Sequence, residues 1–432
     1  MSTQFLIISC LGLGFLSYFM KRTIINPGPM FFFSWAIILY LSTLQLYGLK
    51  LASETSYHIM GIGIYSFAAG HIASFFFGGK YKFVLQKESH TKMFTWEINY
   101  KLVYLLCALT IIYNIVGTIP SLIYLIQGGS LGSIRTAIQN SDTNFTSDSI
   151  IMNFLKMFIA RPFVNILPSI AICDFLIGKR NKKLLFLTTV ILLMGLISTG
   201  GRNQIINLGI SLVICFVIIG KQNTEKINMK KFKKKYGKFF IATFLLVLFI
   251  VYIATKSRSG DAAVRQLYYY FAMQPVMLDN WVSVVDSSNL LGWGMASFNG
   301  IFFVIFWMLH NLLFFPYPDF FNNIFTMVLN TENIWVTIGV AGVNANAYVT
   351  TFWHLYLDGR IFGVVLGMFI YGYYVTRVFS QAYFNTNLKK ISLYCLMYFG
   401  TFLMFTRFPF SNIYFAVSWI MIAFFVFRKK YY

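Results

Sequence analysis

The chain has 432 residues, of which 58% are hydrophobic and only 11% charged, and its mean hydropathy is +0.67. That composition excludes an ordinary soluble globular domain. The formal charge of +22 would suit a nucleic-acid binder, but the lysines and arginines cluster in short connections between apolar runs, and this placement excludes nucleic acid as a partner.

In chain order, segments long enough to cross a bilayer as helices fall near 3–20, 28–47, 57–79, 102–126, 151–178, 184–199, 203–220, 238–255, 347–376, 391–406 and 411–427. Each matches the roughly 17 to 25 apolar residues that a spanning helix needs. The segments predict an all-α polytopic integral membrane protein with about 11 transmembrane helices (roughly 10 to 12) in one membrane domain over residues 1–432. Alternation at period two with turn punctuation does not recur, which argues against a transmembrane barrel.

The connections carrying Lys21 and Arg22, Lys80 to Lys92, Lys179 to Lys183, Lys221 to Lys238, Lys389 and Lys390, and Arg428 to Lys430 all fall on one side if the spans alternate. The positive-inside rule makes that side the cytoplasm, with the N-terminus outside and the C-terminus inside. The run KKFKKK (230–235) then reads as a topological anchor. MSTQFLIISC has no basic residues ahead of its apolar run and reads as an anchor helix, not a cleaved signal peptide. Cys10, Cys107, Cys173, Cys215 and Cys395 lie within apolar segments with no pair at metal-ligand spacing, so neither a disulfide scaffold nor a metal site is expected. Asn144-Phe-Thr146 is a weak glycosylation sequon.

Two outer loops result from this topology, at 127–150 and 256–346. Within the second, ASFNGIFFVIFWMLHNLLFF (296–315) is long enough to span. A crossing there would place the lysine-free stretch 316–346 in the cytoplasm, so it reads as re-entrant or membrane-lying.

Ten basic residues are expected outside, at the outer boundary or within a span: Lys50, Arg135, Lys156, Arg161, Arg202, Lys256, Arg258, Arg265, Arg360 and Arg407. Seven are arginine, whereas the inner loops are dominated by lysine. Cationic side chains are disfavoured there, and the planar arginine fork matches carboxylate or phosphate oxygens where lysine offers a point charge. The expected ligand is a phosphate or diphosphate at the outer leaflet. In STGGRNQIINL, Thr199, Gly200 and Gly201 form a tight turn and Arg202 opens a helix whose free N–H groups favour an anion. Asn203 and Asn207, four apart, add donors on one face. The alternative is a snorkelling arginine that caps a helical hairpin.

In TKSRSGDAAVRQLYYY, Arg258 and Arg265 are two helical turns apart. Asp261, three and four residues from them, is either an ion-pair partner or a catalytic carboxylate, and Tyr268 to Tyr270 could stack on sugars or lie at the interface. In NANAYVTTFWHLYLDGRIFG, His354 and Asp358 are four apart with Gly359-Arg360 directly after. A histidine oriented by a carboxylate makes a general base or a purely structural pair, and His310 is a rival base.

A polytopic chain with GGR opening an outer-face helix, an arginine-rich large outer loop and an N-x-N…D-G-R-x-x-G element before a late helix resembles the O-antigen polymerase (Wzy-type) or oligosaccharide repeat-unit polymerase family. The resemblance implies a GT-C-like membrane glycosyltransferase of the bacterial inner membrane with its active site facing the periplasm. Its substrate would be oligosaccharide repeats carried on undecaprenyl diphosphate, polymerised into O-antigen or capsular polysaccharide beside a chain-length regulator and a flippase. It implies that arginines, without metal or cofactor, hold the lipid diphosphate: Arg202, Arg258 and Arg265 for the donor, Arg135 or Arg360 for the acceptor. Arg407, Asn203 and Tyr268 are further binding candidates, and His354, Asp358 or Asp261 are the catalytic ones. A lipid-linked oligosaccharide flippase and an O-antigen ligase are the rival readings.

Overall fold

The computed structural model describes residues 2–78, 94–139, 149–222, 263–340, 342–384 and 387–431, with isolated positions between 237 and 249. The segment 238–255 as a whole, the run 230–235, the sequon, Lys256, Arg258 and Asp261 lie outside the described residues. The described chain is helical almost throughout and divides into two compact units.

The first unit comprises 1–89, 264–379 and 400–416. It contains α1 (Thr3–Lys21), α2 (Pro27–Thr43) and α3 (Glu54–Gly78). Ser2 caps α1 by accepting the Phe5 N–H, and Asn26 with Pro27 after it opens α2, the expected chemistry of helix starts. α2 ends earlier than the 28–47 segment predicts. Gln45 and Tyr47 take positive φ, and a short 3₁₀ turn (Leu46–Gly48) replaces the helix. His71 is buried in α3, with its ring nitrogens 2.6 Å from the Ser17 and Thr376 hydroxyls.

The later part of this unit contains α9 (Ala263–Ala272), α10 (Gln274–Ser288), α11 (Asn299–Leu313), α12 (Asp319–Asn333) and a two-stranded antiparallel sheet, β2 (Val336–Thr337) with β3 (Asn344–Ala345). α11, within the 296–315 segment, is a 15-residue helix that ends where Phe314 turns into the left-handed region, and α12 begins five residues later. α13 (Thr350–Phe384) is broken at Gly359 and Arg360, whose backbone angles are not helical.

The second unit comprises 90–263, 380–399 and 417–432. β1 (Phe94–Ile98) pairs antiparallel with β4 (Phe427–Tyr431), Trp96 opposite Lys429. Its helices are α4 (Tyr100–Ile126), α5 (Leu131–Gln139), α6 (Ile150–Ile177), α7 (Lys182–Thr199) and α8 (Asn203–Gln222), together with parts of α14 (Leu388–Phe402) and α15 (Ile413–Ile420). At the end of α6 the fully buried Asp174 accepts the Lys179 and Asn181 N–H groups at 3.1 Å and the Tyr100 hydroxyl. This carboxylate folds the basic GKRN turn. The five cysteines are free, but the fold gathers three that no sequence spacing links. The Cys215 sulfur lies 3.3 Å from that of Cys173 and 3.8 Å from that of Cys395.

Among the described residues, eight helical segments are long and apolar enough to cross a membrane: 3–21, 54–77, 100–126, 150–177, 182–199, 203–221, 350–384 and 388–405. Pro27–Thr43, Asn299–Leu313 and Ile413–Phe425 are apolar but shorter. Large apolar side chains remain on their outsides, among them Ile8, Phe19, Phe76 and Ile126. In water such faces would aggregate, which makes them compatible with a surface facing lipid.

Candidate functional site

In the second unit α6 is not a continuous α-helix. Residues Leu155–Ala160 form a π turn, and the Arg161 N–H donates to the Lys156 carbonyl. In a regular α-helix, side chains five apart point about 140° from each other. The i→i+5 bonding of a π turn stacks them instead. Pro162, which has no N–H to continue the ladder, comes next. The wide turn therefore brings Lys156 and Arg161 to one face.

Both cations line a cavity of about 70 Å³. Its polar wall adds Asn114 of α4, Asn153 of α6, and Ser198 and Thr199 at the end of α7. Tyr113, Val116, Gly117, Ile138 and Met152 complete it, and among the described residues no carboxylate lines it. Among the described residues neither Lys156 nor Arg161 takes part in an ion pair.

The GGR turn follows directly on Thr199 of the wall. Thr199 donates its hydroxyl to the Gly195 carbonyl at 2.7 Å and accepts the Gly201 N–H at 3.0 Å. Gly200 has φ +55° and ends α7 in the left-handed conformation that glycine tolerates best. A Cβ there would stand 2.5 Å from the Leu131 carbonyl oxygen and 3.5 Å from the Arg135 Cβ, so α5 lies directly against the turn. Arg202 caps α8, its carbonyl accepting the Ile205 and Ile206 N–H groups at 3.0 Å.

The structure thus sets Arg135, exposed, against the turn that follows Thr199 of the cavity wall and leads into Arg202, half-buried, while the cations that line the cavity itself come from α6. Asn203 is exposed. Asn207, expected beside it as a ligand donor, is instead buried and donates to the Asn165 carbonyl at 2.7 Å. It holds α8 to α6 and is not available to a ligand.

In the first unit the candidates are committed elsewhere. Asp358 does not orient His354. Its carboxylate accepts the Ala296 and Ser297 N–H groups at 2.9 and 2.8 Å, while the Gly292 and Trp293 N–H groups bond the Leu357 and Asp358 carbonyls. The reason is the break after Asp358. Where α13 stops being helical, the carboxylate takes up the free amides of the 292–297 turn. His354 is 2% exposed and its Nδ1 faces the Thr350 carbonyl at 3.1 Å.

Arg360 lies 3.8 Å from Asp286, donates to the Val285 carbonyl at 3.1 Å and sits over the Tyr356 ring. Arg407 is salt-bridged to Glu332. Tyr268, a candidate either to stack on a sugar or to lie at the interface, is buried, with its hydroxyl donating to the Leu41 carbonyl and accepting the Leu46 N–H, each at 2.9 Å. Burial pushes its phenol above the usual tyrosine value. Arg265 is exposed on α9. His310 bonds the Phe315 carbonyl at 2.9 Å and stacks on Tyr317, closing the connection between α11 and α12. Among the described residues no group of three or more His, Cys, Asp or Glu side chains is arranged to hold a metal ion.

Residue type and hydropathy alone place Lys156 and Arg161 inside the fifth apolar span without assigning them a site. The signal that could have found them is the LKMFIARP run, with two cations five apart and a proline directly after. Comparison with known protein families, curated proteins and solved structures finds no match to this chain. The fold and the cavity therefore define its class on their own: an all-α protein with helices suited to a membrane and a cationic cavity in its second unit.

Proposed function

We propose that this chain is a membrane glycosyltransferase that polymerises oligosaccharide repeats carried on undecaprenyl diphosphate, with the cavity of α4, α6 and α7 holding the lipid diphosphate. The observation that carries this is two cations, Lys156 and Arg161, turned to one face by a π turn with no carboxylate beside them among the described residues. An uncompensated pair of half-buried cations is costly unless an anion completes it.

The cavity also adjoins apolar exposed surface. Val116 lines it and is 41% exposed, and Ile112, Ile115 and Ile119 of α4 and Ile150 and Ile151 of α6 continue outward as exposed apolar side chains. An anion on an apolar tail suits that combination better than a soluble anion does. In the reaction, an acceptor hydroxyl oxygen forms the new bond to the anomeric carbon of the donor, and its proton passes to the departing diphosphate. The bond from that carbon to the diphosphate breaks, and the electron pair leaves with the diphosphate. Lys156 and Arg161, with Arg135 and Arg202 at the adjoining turn, stabilise the charge that develops there. Asp358 has no part in this reading.

The test is a gel of surface and lipid-linked glycans from the native host with the gene deleted, restored, and restored as Lys156→Gln/Arg161→Gln. A ladder collapsing to one repeat in the deletion and in the double variant is the expected result. Intact polymer stranded on the lipid carrier would instead identify a ligase, and absence of outward-facing repeats a flippase.

A further inference from the structure

The side-chain nitrogen of Asn114 is a buried donor with no hydrogen-bond partner among the described residues. The residue is 5% exposed, it lines the cavity that holds Lys156 and Arg161, and its own carbonyl is taken by the Thr118 hydroxyl at 2.7 Å. Buried donors are almost always paired, so one left open carries a standing desolvation cost. Thr199 and Ser198 of the same wall both donate to the Gly195 carbonyl. Asn114 is a buried neutral donor of this wall that remains open.

We propose that Asn114 is a specificity residue of the anion site: its amide donates to an oxygen of the phosphoryl group that Lys156 and Arg161 neutralise. The inference rests on the reading of this cavity as an anion site, but not on the sugar chemistry. Two cations alone would accept any small anion. A third donor from a different helix, in fixed position, favours a tetrahedral phosphoryl group with several acceptor oxygens over a planar carboxylate, because it reaches an oxygen outside the plane that the arginine fork reads.

The geometry also sets an unusual sign for the variant. A paired core asparagine replaced by leucine would cost the fold. Here the amide is idle without ligand, so an apolar side chain of similar size should leave the ligand-free protein as stable or more so.

The experiment is titration of the purified full-length protein in detergent with inorganic pyrophosphate, and in parallel with acetate, for the native chain, Asn114→Leu and Asn114→Ala. Expected is pyrophosphate binding by the native chain, weakened about ten-fold in both variants, with the thermal midpoint of Asn114→Leu unchanged or raised and acetate binding unaltered. Pyrophosphate binding by both variants at native strength, or none by the native chain, overturns the proposal. A lowered midpoint with native-strength binding identifies Asn114 as a packing residue and overturns it as well. If pyrophosphate binding depends on Asn114 while deleting the gene leaves the glycan ladder intact, only the polymerase reading falls.

Discussion

At the scale of residues, Asp358 shows how a carboxylate with the sequence context of a catalytic group becomes a structural one. Its two oxygens satisfy the amides of Ala296 and Ser297 in a buried turn, and a Cβ on Gly292 would stand 2.3 Å from one of them. Asp358→Ala leaves both N–H groups buried without partners and should cost about 3 kcal/mol, read as a lowered thermal midpoint in detergent. A catalytic carboxylate would lose activity with little change in stability. Gly200 supplies a second residue-level prediction. Alanine there must hold φ +55° and place its Cβ 2.5 Å from the Leu131 oxygen. The backbone term alone costs about 1 kcal/mol. The larger effect should be displacement of α5, seen as weaker pyrophosphate binding by Gly200→Ala than by the native chain.

At the scale of elements, the π turn of α6 decides the site. Exchanging Lys156 and Met157 (Lys156→Met with Met157→Lys) keeps the composition and length of α6 but moves the first cation one residue along, turning it by about 100° away from the face it shares with Arg161. The expected outcome is loss of pyrophosphate binding with the helical signal in circular dichroism retained. Unchanged binding would show that the wide turn is incidental. The arginines divide along the same lines. Arg360, at the break of α13, and Arg407 meet Asp286 and Glu332, whereas the α6 cations meet no carboxylate among the described residues. A salt-bridged arginine is already supplied with acceptor oxygens, so the residue count alone could not rank these candidates.

At the scale of the whole molecule, the placement of lysine predicts sidedness. The native cysteines are all buried, so single exposed cysteines can report topology. Gln127→Cys should react with a membrane-impermeant maleimide added to intact cells, and Lys182→Cys only after the membrane is opened. The reverse pattern would invert the molecule and move the cavity to the lysine-rich side. Because the cavity's cations are partly open to solvent, pyrophosphate affinity should also fall as ionic strength rises.

The apolar helices were legible in the sequence because burial in hydrocarbon imposes a length and a composition that one segment carries by itself. Ten of the eleven expected segments coincide with apolar helices, and the eleventh, 238–255, lies outside the described residues. The tight turn at Gly200-Gly201 was legible for the same reason, since glycine and helix-end chemistry are local. The break at Gly359-Arg360 was not, because a Gly-Arg pair inside an apolar run is compatible with a continuous helix. Which charges meet was not legible either. Pairing of Arg407 with Glu332, occupation of Asp358 by a turn some 60 residues earlier, and convergence of Asn114, Lys156, Arg161 and Thr199 are contacts between distant parts of the chain. By itself, then, the sequence determined the class of protein and the stock of cations available to an anion. Only the tertiary structure decided which of them lack a carboxylate, because a charge is neutralised by the group that packs against it, however far apart the two lie along the chain.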